Sequence, residues 1–446
     1  MSTHAPQAAA RVSIEARPRA DEAPVGAPAG VRRVLLLGST GSIGTQTVEV
    51  IRHLNALHAR GQWPQRYEVV GLAAGRNAAV CLEQAREFGV RDVALADGNG
   101  AEPPAGVRLR RGPDAAERLV REVECDLVLA AMVGFAGLPA TLAAVQLGRD
   151  VALANKETLV AAGGLVVPAA ARSGSRLLPV DSEHCAVWMC LQGTTEPTGD
   201  GVGGQGGVED QRLCPPCDVS ARVSRVILTA SGGPFRTRSR DEVYHATAAE
   251  AMRHPTWNMG PKVTIDSASL TNKALEVIEA HWLFGLPGKQ IGVLVHPQSI
   301  VHSIVEYPDG SAIAQLAPPD MRTPIQYALT YPARPAGVSR KFDWAKLGTL
   351  EFAEPDFERF PALGLAWRVI EQGGTAGAVM NAANEAAVEA FIVGTIPFGR
   401  IPELTTAAMD QVGVSPLRDL RDAEEADAEA RRFVSSALAG AAGGMR

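Results

Sequence analysis

Residues 31–37 form a short, mostly apolar run rich in valine and leucine. That is the pattern of a strand buried on both faces of a parallel sheet. The run passes directly into Gly38-Ser39-Thr40-Gly41-Ser42-Ile43-Gly44, and a helical pattern follows through Val48, Ile51 and Leu54. Strand, glycine turn and helix in this order constrain the chain to begin as a βα unit. Glycines let a backbone approach a pyrophosphate, and the helix start receives its charge. The spacing G-x-x-G-x-x-G is a variant of the usual dinucleotide fingerprint, and a tight βα turn without a ligand is the alternative.

More βα units follow. Residues 67–73 read as a second strand, ending at Gly75-Arg76-Asn77. An acid there would bind the ribose hydroxyls of NAD, whereas Arg76 suits a 2′-phosphate and favours NADP. A solvated arginine is the other reading. Residues 92–95, 126–131, 150–154 and 176–180 read as further strands, and residues 134–147 include a helix. The fold class is therefore α/β, opening with a Rossmann-like domain over 31–180. With 446 residues and 46% hydrophobic composition there is material for two or three domains. The net charge of −6 gives no footprint for nucleic acid. The longest nearly apolar run, 159–171, is too short and glycine-rich for a membrane span. Residues 1–30 are rich in Ala, Pro and Arg, lack an apolar stretch and read as a disordered tail on a cytoplasmic protein. Six cysteines in a chain of this size do not make a disulfide scaffold.

Chemistry-bearing residues collect at the ends of these units. The strand 150–154 ends on Asn155-Lys156-Glu157, and the last strand of the first half ends on Asp181-Ser182-Glu183-His184. In an extended segment residues 181 and 183 point the same way, so two carboxylates can converge on a hard divalent cation or form an acidic turn. Residues 194–219 are glycine-rich and carry Cys214-Pro215-Pro216-Cys217, the composition of a flexible surface loop. A zinc or redox role with Cys185 and Cys190 is the minor alternative. A strand at 225–228 ends at Ser231-Gly232-Gly233, an anion cradle or a plain turn. Next comes His254-Pro255-Thr256-Trp257-Asn258-Met259-Gly260, with no helix or strand period. Asp266 to Glu276 follows as the expected start of one helix, whose N-terminus suits a phosphate beside Ser267, Asn272 and Lys273. The alternative is a capped surface helix. Residues 291–295, 299–306 and 311–316 read as strands, with His302 a packed polar residue. Residues 318–335 are proline-rich and read as a connection. From 361 onward the pattern is helical, over 363–372, 376–392 and 423–439. Asn381 and Asn384 lie within the second of these, where asparagines serve a ligand or bond neighbouring backbone.

The ordered set G-S-T-G-S-I-G, A-N-K-E, V-D-S-E-H, S-G-G-P-F-R, H-P-T-W-N-M-G, D-S-A-S-L-T-N-K-A-L-E, H-P-Q-S and N-A-A-N-E resembles the 1-deoxy-D-xylulose 5-phosphate reductoisomerase family from Val31 to about Ile401. The resemblance implies an NADPH domain over 31–180, a catalytic domain over 181–330 with a mobile lid, a linker over 331–356 and a helical domain over 357–446. It implies cofactor contacts at Thr40, Gly41, Ser42, Ile43, Gly75, Arg76, Asn77, Asn155, Glu157 and Gly260. Asp181, Glu183 and Glu276 are the implied ligands of Mg²⁺ or Mn²⁺. Lys156, Ser182, Glu183, Ser231, His254, Ser267, Asn272, Lys273 and Glu276 are the implied substrate contacts, and Lys156, Glu183, His254 and Trp257 the catalytic group. The expected reaction rearranges a phosphorylated ketose and reduces the product with NADPH, in a homodimer. The tail and the 194–219 insert depart from the family pattern without interrupting a motif.

Two competing functions remain at this level. An NADP-dependent reductase without rearrangement, such as a semialdehyde dehydrogenase, needs a nucleophilic cysteine, and none sits in an activating context. A nucleotide-sensing protein without catalysis has no use for the three acids.

Overall fold

The computed structural model describes residues 29–97, 100–192, 213–257 and 259–443. The expected tail lies outside these residues up to position 28, and so does the insert over 194–212.

Seven parallel strands build the first sheet: β1 (Gly30–Leu37), β2 (Gln65–Ala74), β3 (Asp92–Leu95), β4 (Arg108–Arg111), β5 (Leu127–Ala130), β6 (Asp150–Leu153) and β7 (Leu177–Pro179). Their order is β4-β3-β2-β1-β5-β6-β7. The chain therefore reverses its direction of travel between β1 and β5, and a crevice opens there beyond the carboxyl ends of the strands. β1, β3 and β5 are fully buried over Val34–Leu37, Asp92–Leu95 and Leu127–Ala130, because helices cover both faces. β4 carries no apolar signal that a sequence reading can find. It is an edge strand whose Arg108 and Arg110 both pair with Asp92 of β3, at 2.6 and 2.9 Å.

The glycine turn has a steric cause. Gly38 has φ +83°, and a Cβ there would lie 2.4 Å from the Ala131 carbonyl oxygen at the end of β5. A Cβ on Gly44 would lie 2.3 Å from the Gly38 carbonyl oxygen. The two glycines thus bring β1, β5 and the helix Ser42–Ala59 together at the crevice. Gly41 precedes that helix, and no side chain caps it.

A second sheet of four strands comprises β8 (Arg225–Ala230), β9 (Ile291–Val295), β10 (Val301–Glu306) and β11 (Ala312–Leu316), in the order β11-β10-β8-β9. β10 runs antiparallel to both its neighbours. Three expectations need correction in this half. The stretch 318–335 is not a bare connection but holds the helix Arg322–Thr330, which packs on Ser42–Ala59 of the first domain. Its Leu329 carbonyl accepts from Arg32 Nη1 at 2.7 Å and Tyr67 Oη at 3.0 Å. The helix expected over Ala274 to Leu283 is present as Thr271–Phe284, but the Asp266-Ser267 cluster expected to open it ends a separate helix, Pro261–Ala268, set apart where Leu270 takes φ +58°. The insert is not loose to its end. Leu213 accepts from Trp188 Nε1 at 2.8 Å, Cys217 donates to Leu283 at 3.0 Å, and Val219 is fully buried. Its glycine-rich composition masked this short apolar anchor.

The C-terminal helices are Leu365–Gln372, Ala376–Ile392, Arg400–Gln411 and Leu420–Gly443. Arg400–Gln411 was not expected; Pro402 in its first turn reads as a breaker yet is tolerated there. The helix Thr271–Phe284 lies between Glu157–Ser173 and Leu365–Gln372, so it is buried among all three parts of the chain. Gly163 makes this contact possible, since a Cβ there would overlap the Trp282 ring. No helix among the described residues is long and apolar enough to cross a membrane.

Candidate functional site

One cavity of about 970 Å³ runs from the start of the helix Ser42–Ala59, past the ends of β5 and β6, to the helix Thr271–Phe284. β6 delivers Lys156 and Glu157 to it. β7 delivers Asp181, Ser182 and Glu183. β8 delivers Ser231. The loop 254–260 covers one side with His254, Trp257 and Met259, and the two helices after it add Ser267, Asn272, Lys273 and Glu276.

The acids converge, but not by the extended geometry expected. Asp181 is the residue before the helix Ser182–Leu191, and Glu183 lies in that helix's first turn. The tight turn at the end of β7 does what alternation along a strand was expected to do. Asp181, Glu183 and Glu276 offer carboxylate oxygens all within 4.8 Å of one another. Two lysines thread the cluster. Lys156 Nζ lies 2.5 Å from Asp181 Oδ2, and 2.9 Å from both Glu276 Oε1 and Asn272 Oδ1. Lys273 Nζ lies 2.9 Å from Glu183 Oε1 and also pairs with Glu276 Oε2. Glu276 additionally accepts from Asn272 Nδ2, four residues earlier on the same helix face.

This crowding moves Asp181 and Glu183 in opposite directions. Burial raises the Glu183 pKa, the neighbouring Glu276 raises it further, and Lys273 offsets only part, leaving it at about 7. Asp181 goes the other way: burial opposes ionisation, yet Lys156 and His184 hold it well below the carboxylate range. A site in which burial and a neighbouring carboxylate both raise one acid's affinity for a proton is one that a divalent cation relieves. The donor set is all carboxylate oxygen, which suits Mg²⁺ or Mn²⁺.

A second constellation surrounds His254. Its Nδ1 accepts from the backbone N–H of Thr256 at 3.2 Å and of Trp257 at 2.9 Å. The proton must then sit on Nε2, which faces Ser231 Oγ at 3.0 Å and Ser267 Oγ at 3.1 Å. Burial lowers its pKa to about 4, so the ring is neutral. The Ser231-Gly232-Gly233 turn is sterically specified: at Gly233 a Cβ would meet the Ser267 carbonyl oxygen at 2.7 Å. Trp257 is half-buried, its ring 6.2 Å from that of His302.

The expected cofactor residues divide. Gly41, Ser42, Ile43, Glu157 and Gly260 line the cavity. Thr40 lies in the glycine turn just outside the lining, and Gly75, Arg76 and Asn77 stand exposed beyond the carboxyl end of β2. Asn77 caps the helix Ala78–Phe88 by accepting from the Val80 N–H. Asn155 is buried behind the wall, its amide donating to the Gly134 carbonyl at 3.1 Å and to Glu157 at 3.2 Å.

Several site residues escaped the sequence reading. His184 lies behind Asp181, with Nδ1 3.2 Å from the fully buried Glu279. Burial opposes its charge, but Glu279 raises its pKa to about 9. Glu279 stands three residues after Glu276, a spacing that puts both on one helix face and was the available signal. His302 borders the cavity as well as packing. Asn381 and Asn384 bond side chains, not backbone: Asn381 donates to Glu385 at 3.0 Å and Asn384 to Asp266 at 2.9 Å. Cys214 and Cys217 have thiols pushed up to about 12 by burial, and Cys185 is pushed higher still.

A nucleotide-type crevice opening into a basic and acidic reaction chamber defines a dinucleotide-dependent oxidoreductase. Comparison with known proteins narrows that class. Three family models match: 1-deoxy-D-xylulose 5-phosphate reductoisomerase over residues 34–163, its C-terminal domain over 177–284, and the DXP reductoisomerase C-terminal domain over 316–433. The reductoisomerase of Pelotomaculum thermopropionicum is 48% identical over 410 residues, 90% of this chain and 97% of that one. That of Rhizobium meliloti is 46% identical over 421 residues, 91% and 98%. Among solved structures, a DOX-P reductoisomerase in complex with NADPH, fosmidomycin and magnesium is 35% identical, with a TM-score of 0.80 over 91% of this chain and 98% of that one. The enzyme from Zymomonas mobilis in complex with NADPH is 39% identical, with a TM-score of 0.77 over 92% and 99%. The chain belongs to the 1-deoxy-D-xylulose 5-phosphate reductoisomerase family.

His302 makes the fold sensitive to acid. Burial lowers its pKa from 6.5 to about 4, with Nε2 3.1 Å from the Ala317 carbonyl. The unfolded chain therefore binds the extra proton first as pH falls. The His302 contribution is present above pH 6.5 and is lost as pH falls through 4, by roughly 3 kcal/mol in all. Urea denaturation from pH 7 to pH 4 should show a shallower loss in His302→Gln than in the wild type; parallel curves would contradict this.

Proposed function

We propose that this chain converts 1-deoxy-D-xylulose 5-phosphate to 2-C-methyl-D-erythritol 4-phosphate, by rearrangement and NADPH-dependent reduction with a divalent cation. The observation that carries the reading is the Asp181, Glu183 and Glu276 cluster, threaded by Lys156 and Lys273 in the same cavity as the glycine turn. The Ser42 helix start and Arg76 receive the phosphates of NADPH, which supplies the hydride. Asp181, Glu183 and Glu276 hold the cation, which supplies Lewis-acid polarisation of neighbouring oxygens. Ser231, Ser267, Asn272 and Lys273 hold the substrate phosphate, with His254 Nε2–H orienting the two serine hydroxyls. Because the phosphate contacts do not change while the skeleton rearranges, they keep the fragments together. Lys156 lowers the cost of oxyanion charge on the substrate, and Glu183 assists transfer of a hydroxyl proton. The loop 254–260 closes over the substrate and lets Trp257 exclude water.

Burial of Cys185 disfavours the rival route through a thiolate nucleophile. The chain acts in the cytoplasm as a homodimer; the edge strand β11, with Ala312, Ile313 and Ala314 exposed, supports self-association, and sedimentation of the purified protein measures it. NADPH oxidation with 1-deoxyxylulose 5-phosphate, with and without Mn²⁺, tests the activity, and product analysis must find the branched polyol phosphate. An unbranched product would overturn the rearrangement.

Two substitutions probe the assignments. Glu276→Gln removes one charge from the acid cluster and should weaken Mn²⁺ binding roughly tenfold or more, about 1.4 kcal/mol. Excess Mn²⁺ should restore part of the turnover, and unchanged affinity in a metal titration removes Glu276 from the ligand set. Arg76→Asp should weaken NADPH by roughly 2 kcal/mol or more and NADH much less. Equal losses for the two cofactors would show that Arg76 does not read the 2′-phosphate.

A further inference from the structure

Lys262 takes no part in the chemistry above, yet its ammonium pairs with two buried carboxylates beside the loop. It is the second residue of the helix Pro261–Ala268, two positions beyond the end of the loop 254–260. Its ammonium lies 2.8 Å from Glu157 Oε1 and 2.9 Å from Asp266 Oδ2. Both acids are almost fully buried, at 4% and 1% exposure. Asp266 also accepts from Asn384 on the C-terminal helix Ala376–Ile392, and Glu157 from Asn155 at the end of β6. One ammonium therefore joins the first sheet, the exit of the loop and the C-terminal helices.

The consequence follows from chain position. Glu157 is bonded to Lys156, so whatever holds Glu157 holds the backbone that aims Lys156 at Asp181 and Glu276. Lys262 also fixes the point from which the loop hangs. A buried ammonium shared by two buried carboxylates resists displacement, because breaking it leaves two uncompensated charges. Burial opposes the charge on Lys262, and Asp266 and Glu157 more than restore it.

We propose that Lys262 is a positioning residue for the reaction: through Glu157 and Asp266 it sets the spacing between Lys156 and the loop carrying His254 and Trp257, so that closure occurs in register with the acid cluster. The proposal rests on the reading that the loop closes over the substrate.

The test uses the full chain and compares Lys262→Met, Lys262→Arg, Glu157→Gln and the double variant Lys262→Met with Glu157→Gln. Loop closure is read by trypsin cleavage after the exposed Arg253, with and without 1-deoxyxylulose 5-phosphate and Mn²⁺. In the wild type the ligand should protect that bond. In Lys262→Met protection should vanish and kcat fall at least 30-fold, with KM changed less than threefold. Lys262→Arg should regain most of the loss, because a cation of similar reach restores the pairing. The double variant should be no slower than Lys262→Met alone, since both break one brace. Should Lys262→Met not fold, Glu157→Gln, which keeps the shape, must still lower both kcat and protection. A merely structural lysine would instead lower the melting temperature of Lys262→Met while leaving kcat and protection near wild type, and that overturns the proposal. Additive losses in the double variant overturn it too. Absence of ligand protection in the wild type overturns the closure reading itself, and with it the proposal; protection that persists equally in Lys262→Met overturns the brace alone.

Discussion

The burial of three carboxylates with two ammonium groups is the constraint on which the rest of this structure depends. Charges removed from water need partners within contact distance, or they neutralise. Here the partners come from separate places in the chain: Lys156 from the end of β6, Asp181 and Glu183 from the end of β7, and Lys273 and Glu276 from one helix. No single element can satisfy the cluster. The first sheet must therefore meet the helix Thr271–Phe284 at a fixed height, and much of the surrounding packing holds that height. Gly163 against Trp282 permits the close helix contact, and the insert's anchor at Cys217 and Val219 closes over the far end of the helix. Burial, reinforced by the neighbouring Glu276, drives Glu183 to about 7, while Lys156 and His184 hold Asp181 low against the same burial.

The legible parts of the sequence were those with a local cause. β1 and the glycine turn are dictated within fifteen residues, by apolar run and steric need, and both appear where expected. The parts that were not legible have distant causes. β4 is polar and survives by pairing its arginines with Asp92. Arg322–Thr330 is helical despite Pro324, because it docks on Ser42–Ala59 and offers its carbonyl end to Arg32 and Tyr67. The break between the two helices at Leu270 is the sharpest case. Leucine favours helix and resists positive φ, so nothing local announces the turn; burial of Leu270 to 3% supplies the compensation.

That break also explains why the expected site residues converge by a geometry other than the expected one. Ser267 was expected at the start of the later helix, beside Asn272 and Lys273. It belongs instead to the last turn of Pro261–Ala268, whose reversal at Leu270 brings it round to His254. Likewise Asp181 and Glu183 converge from a helix start, not along a strand. Motif identity survives such errors because it depends on which residues are present. A partner such as Lys262 does not survive them, since only the three-dimensional contact shows that this charged residue faces inward.

The two halves of the site differ in how they are held, and this separates two kinds of work. The acid cluster is fixed by ion pairs among buried groups on regular elements. The His254 side is fixed by neutral hydrogen bonds from a loop: two backbone N–H groups on Nδ1 and two serine hydroxyls facing Nε2. Neutral bonds of this kind each contribute about 1 kcal/mol net, whereas pulling a lone charge from a buried pair costs about 3–5 kcal/mol. The loop can therefore let go of the serines at moderate cost while the acid cluster stays assembled. In the proposed function Ser231 and Ser267 are also the hydroxyls that donate to the substrate phosphate. With Nε2–H facing both oxygens, each hydroxyl can point its own proton into the cavity. A neutral His254 thus orients two donors toward an anion without requiring a proton of its own, and the low pKa that burial imposes on it suits that task.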